Sequence, residues 1–380
     1  VRSVELADGR RAYQLERLFD VGELIRAKIK KRSEAARHKL EIDWRDELNE
    51  QLGPLPSEPE DKAKEEGARE EKAAALAELA AARFSVLIGP AGTGKTTLLS
   101  VLCGRPEISK DGVLLLAPTG KARVRMEDVA RRAGTENFRA LTLAQFLSRS
   151  GRYDAYTRRY LLTGKPGEKG ARTVIVDECS MLTEEMMAAL IEAITGVHRL
   201  IFVGDHRQLP PIGAGRPFAD IIATLQPPDI ESRPQRVAPS YAELTIPRRQ
   251  GAGERDDLQL AAWFGGNVVS PGEDQVFEIL AGKRTSNTVH FISWEMPDEL
   301  ERDLSAALAS TLWPDSRQEE WQAFACSLGG NLDDGGSAWF NYRSKKYESS
   351  GRAAEAWQIL SPVRQKPWGV EILNRFVHGR

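Results

Sequence analysis

Ser85-Val86-Leu87-Ile88-Gly89-Pro90-Ala91-Gly92-Thr93-Gly94-Lys95-Thr96 is the stretch from which the rest of the chain is read. Its first four residues form a short apolar run of strand type. The next eight fit G-x-x-x-x-G-K-[ST] in full, and Thr97–Leu102 then reads as a helix. Glycines at these positions let successive backbone N–H groups turn inward at the positive end of a helix dipole, where phosphates are held. Gly89, Pro90, Ala91, Gly92, Thr93, Gly94, Lys95, Thr96 and Thr97 are therefore the candidate nucleotide cradle. Lys95 carries a point charge toward the β- and γ-phosphates, and the Thr96 hydroxyl is a candidate Mg²⁺ ligand.

Outward from this stretch, three further apolar runs follow: Val113–Leu116, Thr173–Val176 and Leu200–Val203. Each is apolar throughout and separated from the next by helical or loop sequence, the pattern of parallel strands covered on both faces. With the Ala-rich helix expected over Lys72–Arg83, they predict an α/β domain over residues 72–232. Beyond it the spacing predicts strands at Thr288–Ile292 and Trp357–Ser361, helices at Pro297–Leu312 and Val370–Phe376, and a loop over Gly329–Gly351. Seven of the eight tryptophans fall after residue 260 and none within 72–232, which sets 233–380 apart as a second domain. Before the sheet, residues 1–53 are charged and read as a solvated helical hairpin or arm. The run Pro54-Leu55-Pro56-Ser57-Glu58-Pro59 and the charged residues to Glu71 read as a linker.

Two further sites follow strands directly. Asp177-Glu178 closes the strand Thr173–Val176, at the sheet edge where the glycine loop lies. Asp177 is the second candidate Mg²⁺ ligand, and Glu178 is the candidate base for an attacking water. Gly204-Asp205-His206-Arg207-Gln208-Leu209-Pro210-Pro211 follows Leu200–Val203; Gln208 can donate to a phosphate oxygen and accept from water, so it is a candidate γ-phosphate sensor.

Composition narrows the alternatives. There are 53 Lys and Arg against 55 Asp and Glu, so any nucleic-acid surface rests on local clusters. Cys103, Cys179 and Cys326 form no Cys-x-x-Cys pair, which argues against a zinc ribbon or a secreted disulfide framework. No apolar run approaches the ~20 residues that cross a bilayer, and the start is no signal peptide. A cytoplasmic protein without a membrane partner is expected; because the chain begins at Val1, it is expected to be a piece of something longer.

Taken in order, Gly89–Thr96, Ala117-Pro118-Thr119-Gly120-Lys121-Ala122, Asp177-Glu178-Cys179-Ser180-Met181 and Gly204-Asp205-x-x-Gln208-Leu209-Pro210-Pro211 resemble the motifs of superfamily 1 helicases. They look most like the RecD-like 5′-to-3′ DNA helicases. Leu244-Thr245 with Arg249-Gln250, and Gln358–Pro362 with Gly369-Val370 and Leu373-Asn374-Arg375, extend the likeness across residues 72–380. It implies a P-loop, RecA-like parallel sheet with helices on both faces, a partial second RecA-like domain, and ATP with Mg²⁺ between the two. It also implies single-stranded DNA as partner, RNA being the alternative, and 5′-to-3′ unwinding in the complete protein. Arg249 is then the residue that reaches the transferring phosphate. A nucleotide-switched module that binds nucleic acid without unwinding is the reading of another class.

Three departures stand out. Glu70-Glu71-Lys72-Ala73 has no glutamine of the kind that reads adenine in relatives. Ala144 stands where the Leu141–Leu147 motif usually has histidine. The last helicase motifs, expected after Leu373-Asn374, do not occur before Arg380.

Between Lys121 and Arg172 there are 13 basic against 5 acidic residues. Pro118, Thr119, Lys121 and Thr142 are the candidate strand contacts, presenting hydroxyls, backbone N–H groups and cations to phosphates. Tyr153, Tyr156 and Tyr160, which alternate with Arg152, Arg158 and Arg159, read as a solvated basic loop.

Overall fold

The apolar runs form the middle of a seven-stranded sheet in the computed structural model, which describes residues 1–5, 9–167, 170–246, 255–264, 273–312, 319–340 and 357–378. The chain divides into two compact units, Val1–Arg255 with Ala262–Val268, and Asp256–Ala261 with Val269–Arg380.

The first unit opens with a hairpin, β1 (Arg2–Glu5) and β2 (Arg11–Gln14), followed by α1 (Glu16–Ser33), α2 (Trp44–Leu52) and α3 (Pro59–Ala81). Then come β3 (Phe84–Ile88), α4 (Lys95–Gly104), the short α5 (Pro106–Ser109), β4 (Val113–Ala117), α6 (Gly120–Arg132), β5 (Phe138–Thr142) and α7 (Leu143–Arg149). A small hairpin, β6 (Tyr153–Asp154) with β7 (Arg159–Tyr160), precedes β8 (Thr173–Val176), α8 (Glu184–Ala193), β9 (Arg199–Gly204) and α9 (Pro217–Leu225). Last are β10 (Val237–Ala238) and β11 (Tyr241–Glu243).

The sheet order is β10-β11-β3-β9-β8-β4-β5, with every pair parallel except β10–β11. This is the α/β fold that the apolar runs predict. Alternate residues go to opposite faces: Val86, Leu116, Val176 and Phe202 pack with α1, α7, α8 and α9, while Leu87, Leu115, Ile175 and Ile201 pack with α2, α3, α4 and α6. Crossover helices on both faces explain why the strands carry no polar alternation. The strand β11 lies beyond residue 232 and still pairs with β3, Ala242 opposite Leu87, so the first sheet runs past the expected boundary.

The amino-terminal segment differs from expectation. It starts as a hairpin, and α1 is no solvated arm. Val21, Ile25 and Ile29, four residues apart, are buried against the sheet, and Trp44 and Leu48 of α2 are buried on the other face. The lysines and arginines of α1 simply occupy its outer face. Replacing Val21 with Ala is expected to destabilise the unit by about 1–3 kcal/mol, read as a lower urea midpoint; an unchanged midpoint would show α1 to be a dispensable appendage.

The expected linker is also helix from Pro59 onward. Proline at the first helical position lacks only an N–H that has no partner there, so it starts α3 rather than breaking it. Charged residues of α3 then bind distant pieces of the unit. Arg69 donates to Asn49 (2.9 Å), Glu78 accepts from Arg37 and from the Ser240 N–H, and Glu71 accepts from the Thr245 N–H and hydroxyl (2.6 and 2.7 Å).

The second unit contains α10 (Asp256–Phe264) in part, α11 (Val276–Leu280), α12 (Pro297–Leu312), α13 (Glu320–Ser327), a hairpin of β12 (Gly330–Leu332) with β13 (Ala338–Phe340), and the helix Val370–His378. The two expected helices form. The expected strands at 288–292 and 357–361 do not: neither pairs in a ladder among the described residues, and Phe291, Ile292 and Leu360 are exposed. An apolar run becomes a strand only beside a partner edge. No parallel strand pair occurs among the described residues of this unit, and its one hairpin falls where a loop was expected.

Candidate active site

At the end of β3 the chain turns through Gly89–Gly94 into α4. Gly89 has φ +154°, and a Cβ there would lie 2.5 Å from the Leu244 carbonyl oxygen, so only glycine fits against β11's continuation. Gly94, in the left-handed region at φ +89°, caps α4 and lies against the buried Lys72 side chain. Thr93 is buried and donates to the Pro90 carbonyl (3.0 Å), fixing the loop from inside. Lys95 donates to the Gly89 and Pro90 carbonyls. Ala91 and Thr96 are exposed and Thr97 half-buried.

Burial pulls the Lys95 ammonium below the ordinary lysine range, and Asp205, Asp177 and Glu178 act against that. These carboxylates reach Lys95 because β3, β9 and β8 are adjacent and parallel, so their carboxyl ends meet at spacings of about 4.8 Å. The sequence motifs at residues 89–96, 177–178 and 204–208 thus converge on one sheet edge.

Asp177 continues the ladder by donating its N–H to the Leu116 carbonyl (2.8 Å), and its Oδ1 accepts the Glu178 N–H (2.9 Å). That bond accompanies a left-handed backbone at Glu178 (φ 53°, ψ 41°), unusual for a residue with a side chain. Arg125 of α6 stands 3.9 Å from the Glu178 carboxylate. Burial pushes the Asp177 carboxyl up to about 6; the Glu178 N–H opposes this, the Glu178 charge adds to it, and Lys95 and Arg125 oppose it.

Stability therefore depends on pH through this group. The fold binds the Asp177 proton more tightly than the unfolded chain does, so the benefit holds below the ordinary value of 3.8 and is lost as pH rises through about 6. At neutral pH the buried charge is a cost. Asp177→Asn is expected to stabilise the protein, free of divalent cations and nucleotide, by on the order of 1–3 kcal/mol at pH 7.5. Thermal melts should show the gain shrinking toward pH 4; equal or lower stability at pH 7.5 would contradict it.

Gln208 lies on an exposed turn whose anchor is Asp205, 8% exposed. Asp205 accepts the Arg207 N–H (3.1 Å), and the Gln208 amide lies 3.5 Å from its other oxygen. Sequence reasoning passed over Asp205, although its position directly after a buried strand, like that of Asp177, was a signal. It also passed over Glu243. This buried carboxylate on β11 accepts from Tyr241 (3.0 Å) and Arg236 (3.2 Å) and lies 3.7 Å from Arg207. Arg249 is outside the described residues.

Among the described residues no three His, Cys, Asp or Glu side chains cluster as a metal cage. The donor set at the loop, one hydroxyl (Thr96) and one carboxylate (Asp177), fits Mg²⁺, which keeps waters and takes substrate phosphates rather than an all-protein shell.

The candidate strand contacts lie along the same sheet edge, beyond β8. Thr119 caps α6 by accepting the Ala122 N–H (3.2 Å); Thr142 caps α7 by accepting the Gln145 N–H (3.2 Å). Each hydroxyl keeps its own proton to donate. Ala117 pairs with Thr142 across β4 and β5, so Pro118, Thr119, Lys121 and Thr142 are brought together. The tyrosine segment is not a loop: Tyr153 pairs with Tyr160 across β6 and β7, with ring centroids 4.9 Å apart, and only Tyr156 is fully exposed. Arg152, expected among the solvated cations, is buried and ion-paired with Glu192 (2.6 Å).

No helix among the described residues is long and apolar enough to cross a membrane. A glycine loop between a parallel strand and a helix, on a sheet of this order, defines a P-loop NTPase fold of the RecA-like kind. Residues 68–253 match the AAA domain family. Over 154 residues the chain is 36% identical to the RecBCD enzyme subunit RecD of Mycobacterium tuberculosis, covering 36% of this chain and 26% of that protein. Over 152 residues it is 36% identical to the ATP-dependent RecD2 DNA helicase of Deinococcus radiodurans, covering 40% of this chain and 19% of that one. The crystal structure of Bacteroides sp Pif1 in complex with ADP-AlF4 superposes with a TM-score of 0.36 at 20% identity, over 66% of this chain and 57% of that chain. The chain spans about a quarter or less of the length of the two curated relatives named.

Proposed function

We propose that the chain is the ATP-hydrolysing part of a DNA helicase, which turns over ATP with Mg²⁺ and couples this to movement on single-stranded DNA, 5′ to 3′ in the complete protein. The observation that carries this is the convergence of Lys95, Asp177, Glu178 and the Asp205–Gln208 turn at the carboxyl ends of β3, β8 and β9. Lys95 exchanges the Gly89 and Pro90 carbonyls for phosphate oxygens. Glu178 takes the proton of the attacking water, and Gln208 senses the γ-phosphate. Arg249 supplies a guanidinium to the developing charge, an effect worth about 10³–10⁵-fold in comparable NTPases. Thr96 and Asp177 would hold a magnesium ion, which would supply neutralisation of the phosphate charge. Pro118, Thr119, Lys121 and Thr142 meet the strand backbone.

The test is ATP turnover by this chain with and without a single-stranded DNA oligonucleotide. Turnover stimulated by the strand is expected. Nucleotide binding with no turnover under either condition would favour the switched binding module. Stimulation by an RNA oligonucleotide and not by DNA would move the substrate to RNA.

A further inference from the structure

Helix α6 begins directly after β4, at the end where the candidate strand contacts lie, and it carries Lys121, Arg123 and Arg125 in its first two turns. These cations are placed differently. Arg123 donates to Glu127 (2.6 Å), and the other Glu127 oxygen takes Arg131 (2.7 Å), so this charge is balanced along the helix itself. Lys121 and Arg125 are four residues apart and share a face. From that face Arg125 reaches across to β8, and its guanidinium stands 3.9 Å from the Glu178 carboxylate. The Arg125 side chain is 56% exposed and that of Glu178 26% exposed.

Two features make this pair a control point rather than a brace. It is long and half in water, the kind of ion pair that contributes little to stability and yields to a closer anion. Its acidic member is also locally constrained: the left-handed backbone and the N–H bond to Asp177 fix where Glu178 leaves the chain, so the side chain's direction depends on what attracts its carboxylate. Lys95 draws it from the loop side and Arg125 from the α6 side.

We propose that Arg125 is a positioning residue linking strand binding to hydrolysis. It holds Glu178 turned toward α6, away from the water it activates. A nucleic-acid phosphate arriving beside Lys121 takes the guanidinium and releases the carboxylate. The inference rests on the reading of Glu178 as the base of an ATP-hydrolysing site.

The experiment compares wild type, Arg125→Ala and Arg125→Lys for kcat and KM of ATP, with and without a saturating single-stranded DNA oligonucleotide. Because Arg125 is exposed and its pair with Glu178 is long, melting temperatures should agree among the three. Arg125→Ala is expected to raise the strand-free kcat several-fold with KM for ATP unchanged, so that the stimulation ratio falls toward one; Arg125→Lys, which keeps the charge, stays near wild type. A ratio that falls only because the stimulated rate drops, the strand-free kcat staying at the wild-type value, would make Arg125 a plain strand contact and overturn the proposal. An unchanged ratio would overturn it too. Wild-type protein without any turnover would sink the hydrolytic reading, and this inference with it, whereas strand-stimulated wild type with an unaltered Arg125→Ala variant sinks the inference alone.

Discussion

Glu178→Gln is expected to lower ATP turnover by about 10²–10⁴-fold, the usual contribution of a positioned general base, while nucleotide binding survives. The amide has nearly the shape of the carboxylate and cannot accept the proton of the attacking water. The Glu178 N–H bond to Asp177 is a backbone bond and persists, and the 3.9 Å pair with Arg125 is too long and too exposed to matter to the fold. Removing one negative charge also eases the crowding that helps to raise the Asp177 carboxyl. Steady-state turnover and equilibrium binding of a labelled nucleotide, measured on the same preparation, separate the two effects. A variant that hydrolyses ATP at more than a tenth of the wild-type rate would remove Glu178 from the chemistry.

Lys95→Ala should be as damaging to turnover, about 10²–10³-fold by analogy with the loss of one fixed donor to developing charge, but it should also weaken triphosphate binding. The ammonium group lies inside the loop, and its partners there are two backbone carbonyls of that loop, Gly89 and Pro90. Burial already works against its charge. Alanine removes a costly buried cation along with those bonds, so the thermal midpoint should stay within a few degrees of wild type. Loss of turnover accompanied by loss of the cooperative melt would instead assign Lys95 to the core, and the loop would have to be reinterpreted.

The legible parts of the chain are those whose physics is local. Val113–Leu116, Thr173–Val176 and Leu200–Val203 announce themselves as central parallel strands because helices cover both of their faces, leaving no polar alternation. The loop at Gly89–Thr96 is legible because its conformation demands glycine at fixed places. The amino-terminal helices were obscured by charge: lysines and arginines outnumber Val21, Ile25 and Ile29 on α1, yet those three decide its packing. Pro59 misled because proline's meaning reverses between the interior and the first turn of a helix. Contacts such as Glu71 with Thr245, or Glu243 with Arg207, join residues far apart in the chain, and no local pattern encodes them. In the second unit, Thr288–Ile292 and Trp357–Ser361 have strand composition without a neighbouring edge among the described residues, and composition alone makes no ladder.

The central claim is that one triphosphate site is assembled from the ends of β3, β8 and β9. A crystal structure of this chain grown with magnesium and a non-hydrolysable ATP analogue tests it most directly. The account predicts phosphates wrapped by the backbone of Gly89–Thr96, Lys95 moved from its two carbonyls onto the β- and γ-oxygens, and the metal between Thr96 and Asp177, with Glu178 facing the γ-phosphate. Nucleotide bound elsewhere on the chain, with Lys95 still on Gly89 and Pro90, would contradict it.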